Sequence, residues 1–181
     1  MKTLKSCFIL LTVALLGTLA GCSTATKSAD ISGSIHKSLE KAGLKDVSVS
    51  QDRDKGVVTL GGHVTADIDK AQAESIAKSF AGTQVVSNEI AVIPAGSESE
   101  AKGMNSALDK GIEGNLDAAL ITAKLHDSVK YAVKNRVVTL TGDVNSAAKR
   151  KRAEEVATAV LNVQQVVNEL QVKGQKATSS K

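Results

Sequence analysis

The chain repeats itself at an offset of 80 residues. Val57 to Val92 aligns without a gap on Val137 to Val172, and 14 of those 36 pairs are identical. The identities fall mainly in two blocks. Val57-Val58-Thr59-Leu60 with Gly62 and Val64 matches Val137-Val138-Thr139-Leu140 with Gly142 and Val144, and Asn88-Glu89 with Val92 matches Asn168-Glu169 with Val172. Self-similarity at a fixed period marks copies of one structural unit, so whatever fold is built here is built twice. Upstream, with a few residues of drift, Ile35 to Ala42 resembles Ile112 to Ala119, and apolar residues four apart in both predict a helix face. Each unit is about 65 residues, near the lower limit at which a single core is stable alone.

Within the first unit, Ile31, Ile35 and Leu39 line a helix that should stop at Gly43, since glycine accepts the left-handed conformation of a helix end. In the second, Met104, Leu108, Ile112, Leu116 and Leu120 keep a stride of four. Val47-Ser48-Val49 and Val57 to Leu60 read as a hairpin joined by Asp52-Arg53-Asp54-Lys55-Gly56. Val129, Tyr131 and Val133 pair likewise with Val137 to Leu140 through Lys134-Asn135-Arg136. A second helix follows, its inner face being Ala73, Ile76, Ala77 and Phe80, or Ala153, Val156, Ala157 and Val160 in the second copy. The last strands are Val85 to Val92 and Val166 to Val172. The expected fold is α+β: two αββαβ modules, each a three-stranded mixed sheet with two helices on one face and a right-handed final crossover.

These residues carry a resemblance. Val58-Thr59-Leu60-Gly61-Gly62-His63-Val64 and Val138-Thr139-Leu140-Thr141-Gly142-Asp143-Val144 match the V-x-L-x-G-x-V core of the BON domain, a module of osmotically inducible periplasmic proteins and envelope lipoproteins with this same element order. The resemblance covers residues 30–93 and 104–173. It implies structural roles for Leu60, Gly62, Val64, Leu140, Gly142 and Val144 and a binding module without catalytic residues. Gly62 and Gly142 leave a strand for a helix, which predicts close backbone packing or a positive φ.

Ahead of the repeats, Lys2 and Lys5 precede an apolar run from Cys7 to Ala20, which is too short to span a bilayer and reads as a signal peptide over residues 1–21. Leu19-Ala20-Gly21-Cys22 resembles a bacterial lipobox, which implies that Cys22 is lipidated and becomes the first residue of the mature chain. Two or three acyl chains hold a protein to a membrane effectively permanently. Ser23 resembles the outer-membrane sorting pattern of enterobacterial lipoproteins, with the body facing the periplasm. Residues 22–29 and 174–181, rich in Ser, Thr, Lys and Ala, read as flexible tethers, and 94–103 as a polar linker.

Composition narrows the function. Removal of residues 1–21 leaves 21 Lys/Arg against 19 Asp/Glu, and the whole chain has no Trp, one Tyr and two Phe. That is neither the basic stripe nor the stacking platform that nucleic acid requires. No nucleophile elbow, phosphate loop or metal-binding pair occurs, and His36, His63 and His126 stand apart in sequence, so no enzyme, cofactor or metal is expected. The modules differ in charge, residues 30–93 being net −2 and residues 104–173 net +2. Lys149-Arg150-Lys151-Arg152 contributes to that difference from the start of a helix, where the macrodipole disfavours cations. Two readings stand. The run meets anionic lipid headgroups, or it is a solvated face with Arg150–Glu154 and Lys151–Glu155 pairs. The resemblance includes a two-BON lipoprotein type that recognises anionic phospholipid through its second module. It therefore implies a non-enzymatic envelope lipoprotein that binds phospholipid surfaces and supports envelope integrity or osmotic stress tolerance. The alternative is a scaffold that docks on an envelope protein assembly or on peptidoglycan.

Overall fold

A computed structural model describes residues 27–172 and 178–180. The signal segment and Cys22 lie outside the described residues. The first module comprises α1 (Ser32–Lys41), β1 (Val47–Asp52), β2 (Val57–Val64), α2 (Asp67–Ala81), β3 (Val85–Asn88) and β4 (Ala91–Val92). The second comprises α3 (Glu98–Thr122), β5 (Lys130–Lys134), β6 (Val137–Thr141), α4 (Ala147–Thr158), β7 (Gln165–Asn168) and β8 (Thr178–Ser180). The αββαβ order holds in both copies, and the sheets are mixed.

β1 and β2 pair antiparallel with Val49 opposite Leu60, and β2 and β3 pair parallel with Val58 opposite Val86. The second module repeats this, with Tyr131 opposite Leu140 and Val138 opposite Val166. Alternation along β2 sends Val58 and Leu60 toward the helices, where they meet Ile35, Leu39, Ala73 and Ala77 in one buried cluster. Val138 and Leu140 do the same with Ile112, Leu116, Ala153 and Ala157. Each fully buried Leu or Ile contributes about 2 kcal/mol, so these stripes hold helices to sheet.

The turns follow the local chemistry. Gly43 takes φ +83 and the Leu44 N–H reaches back to the Leu39 carbonyl at 2.9 Å, closing α1. In the first hairpin the Asp52 carboxylate accepts the Asp54 and Lys55 N–H groups, and Gly56 takes φ +73. In the second, Asn135 and Arg136 both take positive φ, and the Asp109 carboxylate accepts both of their N–H groups at 2.8 Å.

Four expectations are corrected. The last strand of the first module is not continuous from Val85 to Val92. It breaks after Asn88, whose side-chain carbonyl accepts the Ile90 N–H while Ile90 is buried; the ladder resumes at β4. Correspondingly, β7 stops at Asn168 and a single bridge, Asp143 to Gln171, follows. On α2, Phe80 is 40% exposed and the inner stripe is Ala73, Ala77 and Ala81, because a stride of four leads to Ala81. α3 begins at Glu98, so much of the segment expected as linker is helical, and Met104, 66% exposed, precedes the buried Ile112, Leu116 and Leu120. Finally, part of the expected C-terminal tether forms β8, with Thr178 opposite Asn168 on β7.

Candidate functional site

Leu60, Val64, Leu140 and Val144 are all buried in the cores. Gly62 and Gly142 combine both features expected of them: φ is +84 and +120, and a Cβ would stand 2.0 Å from the Asp46 carbonyl oxygen and 2.6 Å from that of Ser128. The four apolar positions pack the cores, and the two glycines let the chain that carries them lie close against its neighbour.

The four-residue basic run is divided by the helix it starts. Ser146 caps α4, its hydroxyl accepting the Lys149 N–H at 3.2 Å, and no acid occupies the first turn. Lys151 and Arg152 project into solvent with side chains 81% and 63% exposed, and Lys149 is exposed as well. Glu155 lies 4.0 Å from Lys151 and 3.6 Å from Arg152. Arg150 turns inward and is only 6% exposed, so it is not part of any headgroup-facing surface. Its position explains this, since Arg150, Ala153 and Ala157 share the inner stripe of α4. Arg150 Nη2 donates to the Asn168 carbonyl at 3.0 Å. Burial lowers the guanidinium pKa, and Glu154 partly offsets that shift.

Around Arg150 lies a node present in both modules. The Asn168 side-chain amide donates to the Arg150 carbonyl at 3.0 Å and to Glu154 at 2.9 Å, and its oxygen accepts the Leu170 N–H. Asn88 does the same with the Lys70 carbonyl, Glu74 and the Ile90 N–H. A buried amide without partners costs about 1–3 kcal/mol, so each Asn needs this set. Its sequence signal is the identity of Asn88 with Asn168 and of Glu74 with Glu154 at the repeat offset.

The modules meet through their β3 and β7 ends. Val57, Val137 and Val167 form a small buried cluster with Val85 against it. Two ion pairs flank it: Lys55 to Glu169 at 2.6 Å, and Lys134 to Glu89 at 3.2 Å. The hydrogen bond that Lys55 donates to Glu169 raises the Lys55 pKa against the opposing effect of burial, with further help from the charges of Glu169 and Asp52. Asn135 adds a bond from its side-chain amide to the Glu89 carbonyl at 2.7 Å. Beside this contact runs a groove of about 650 Å³ between α2 and β3, reaching Val137, Gln164 and Gln165 of the second module. Lys70 lines it, 3.5 Å from the Gln164 side-chain oxygen. Burial lowers the Lys70 pKa and nearby Arg136 adds to the effect, while Asp67, Glu74 and Asp109 oppose it.

His36, His63 and His126 are each on the surface; His36 faces Glu40 at 3.6 Å and His126 faces Asp117 at 3.1 Å. Among the described residues no group of three or more His, Cys, Asp or Glu side chains is placed to hold a metal ion. Among them, too, no helix is long and apolar enough to cross a membrane.

Comparison with known proteins adds three findings. The family model described as BON domain matches residues 27–94 and 109–174. Osmotically-inducible protein Y of Escherichia coli strain K12 is 35% identical over 132 residues, 72% of this chain and 64% of that protein, so the chain spans a little under two thirds of that relative's length. Among solved structures, CdsD, a structural protein of the type III secretion system of Chlamydia trachomatis, matches with a TM-score of 0.30 and 15% identity, covering 77% of this chain and 60% of that one. Its C-terminal domain matches with a TM-score of 0.29 and 14% identity, over 76% and 65% of the two chains.

Proposed function

Since this chain belongs to the BON domain family, we propose that it is a non-enzymatic cell-envelope lipoprotein whose second module docks on anionic phospholipid surfaces and supports envelope integrity under osmotic stress. Cys22 holds it to the membrane, by the sorting pattern of Ser23 the outer one, and the body faces the periplasm. The relative named for osmotic induction supports the physiological setting. The observation that carries the membrane reading is the exposure of Lys149, Lys151 and Arg152 on the first turns of α4, with no acid in that first turn. A cation near an anionic surface contributes about 1 kcal/mol, so three give about 3 kcal/mol, roughly a hundredfold in affinity. Arg150 serves the same surface indirectly, by pinning α4 to β7.

The test is binding of the unlipidated chain, starting at Ser23, to vesicles with and without anionic lipid at low and physiological salt. The comparison protein carries Lys149→Gln, Lys151→Gln and Arg152→Gln together. The expected result is binding that needs anionic lipid, weakens with salt and falls by at least about tenfold in the triple variant. Absence of binding, or binding indifferent to the three substitutions, overturns the headgroup reading in favour of docking on an envelope protein or on peptidoglycan.

A further inference from the structure

The chain that leads from Cys22 into the first module is gripped before α1 begins. Ser28 donates its N–H to the Arg53 carbonyl at 2.9 Å, and Arg53 Nε donates back to the Ser28 carbonyl at 2.8 Å. The Ala29 carbonyl accepts from the side-chain amides of Gln51 and Gln84 at 2.7 and 3.1 Å, and Gln51 Oε1 accepts the Ile31 N–H at 3.1 Å. Lys27 stands 3.3 Å from the Asp54 carboxylate. Residues 27–29, expected as part of a flexible tether, are therefore held with Ile31 in a clasp made by β1 and its hairpin turn. At the repeat offset Gln51 and Arg53 correspond to Tyr131 and Val133, so the second module lacks these side chains at the equivalent places. The clasp belongs to the module that follows Cys22, not to the fold as such.

The grip lies at the same end of the body as the exposed cations of α4. Lys55, in the clasping hairpin, meets Glu169, which directly follows β7. Asn168, the last residue of β7, bonds the Arg150 carbonyl in the first turn of α4. Leu161, 73% exposed, follows the other end of that helix. Reach then decides orientation. Cys22 precedes Lys27 by five residues, which extend over at most about 18 Å. β2 alone, with eight residues, runs about 26 Å away from the hairpin. Released as far as Ser32, where α1 starts, the tether would reach about 35 Å and let either end of the body turn to the anchor. We propose that the clasp sets which end of the body meets the lipid surface: an acyl-anchored chain stands with the first hairpin and the basic turn of α4 against the headgroups, and with the Leu161 end away from them. This deepens the membrane reading and rests on Cys22 as the anchor.

The chain has no Trp, and Cys22 is the one thiol left once residues 1–21 are removed, so a single reporter and a single anchor can both be placed. Residues 22–181 are joined through Cys22 to a maleimide phospholipid in phosphatidylcholine vesicles carrying a trace of dansyl-labelled lipid. The neutral surface takes headgroup attraction out of the measurement. Asp127→Trp reports from the basic end, being fully exposed just before β5, whose Lys130 pairs with Thr141 at the end of β6; Leu161→Trp reports from the other end. Energy transfer to dansyl is expected to be at least about threefold greater from Asp127→Trp, since the two ends stand further apart than the tether reaches. Adding Gln51→Ala with Arg53→Ala, or inserting about ten Gly/Ser residues after Ser23, should bring the two reporters level, and the insertion leaves the folded body untouched. The difference should survive Lys149→Gln, Lys151→Gln and Arg152→Gln together; its loss there assigns orientation to the basic turn and overturns the clasp. Equal transfer from both reporters in the otherwise native chain also overturns the proposal, as does a difference unchanged by both the insertion and the clasp substitutions. Intact-mass measurement of the full-length protein expressed in a bacterium tests the anchor separately: an acyl-free Cys22 overturns that reading, and this proposal with it.

Discussion

Lys55 and Glu169 stand 114 residues apart in sequence and meet at 2.6 Å, so the first hairpin of one module grips the strand end of the other. Glu169 is largely buried and Lys55 is over a third exposed, which limits the pair to about 1 kcal/mol after solvent screening. A double-mutant cycle of Lys55→Met and Glu169→Gln, read by urea unfolding, should return a coupling of about that size. The Lys55 pKa is raised in the folded chain, so its contribution is complete below the ordinary lysine value of 10.5 and disappears as pH rises through the higher folded value. Thermal midpoints of the native chain and Lys55→Met should therefore differ at about pH 9 and draw together as pH rises past the ordinary lysine value and through the higher folded one.

Gly62→Ala and Gly142→Ala should both destabilise their modules, by about 2 kcal/mol or more, since each combines a positive φ with a Cβ aimed at a backbone carbonyl. The effect should be larger at Gly62, where the clash is 2.0 Å against 2.6 Å. Urea unfolding monitored by circular dichroism measures both.

Asn168→Leu should cost about 2–3 kcal/mol, because Glu154, the Arg150 carbonyl and the Leu170 N–H lose a shared partner in a buried place. The same substitution at Asn88 should cost a similar amount in the first module, and an effect within about 0.5 kcal/mol at both would refute the role assigned to the node.

Arg150→Met separates the buried member of the basic run from its exposed neighbours. Stability should fall by about 1–3 kcal/mol, while vesicle binding of the folded protein should stay within about twofold of native. Loss of binding without loss of stability would reverse the assignment.

Much of the fold was legible because it rests on local periodicity: the repeat, the element order, Gly43 at a helix end, and the strand residues Val58 and Leu60 facing inward all follow from spacing. The burial of Arg150 was also legible in principle, since it falls on the same stripe as Ala153 and Ala157, but the run of four charges masked the period. The break after Asn88 was not, because a long apolar run looks continuous until the amide is seen to reach Glu74 on another element. Nothing local in sequence pairs Lys55 with Glu169, sets Gln165 against β3, or leaves Lys70 facing a groove. Those relations exist only once two modules are docked.

The module contact is nearly its own mirror in the sequence. Lys55 reaches Glu169, Lys134 reaches Glu89, and Glu89 and Glu169 are repeat equivalents that directly follow the equivalent strands β3 and β7. One module by itself thus holds both the cationic and the acidic half of the joint, which is the self-complementarity of a two-fold symmetric dimer. Tandem duplication turns an encounter between separate molecules into an event within one chain, at an effective concentration in the millimolar range or above. Gln165 against the β3 edge and β8 along the β7 edge mark where the two halves of this joint differ.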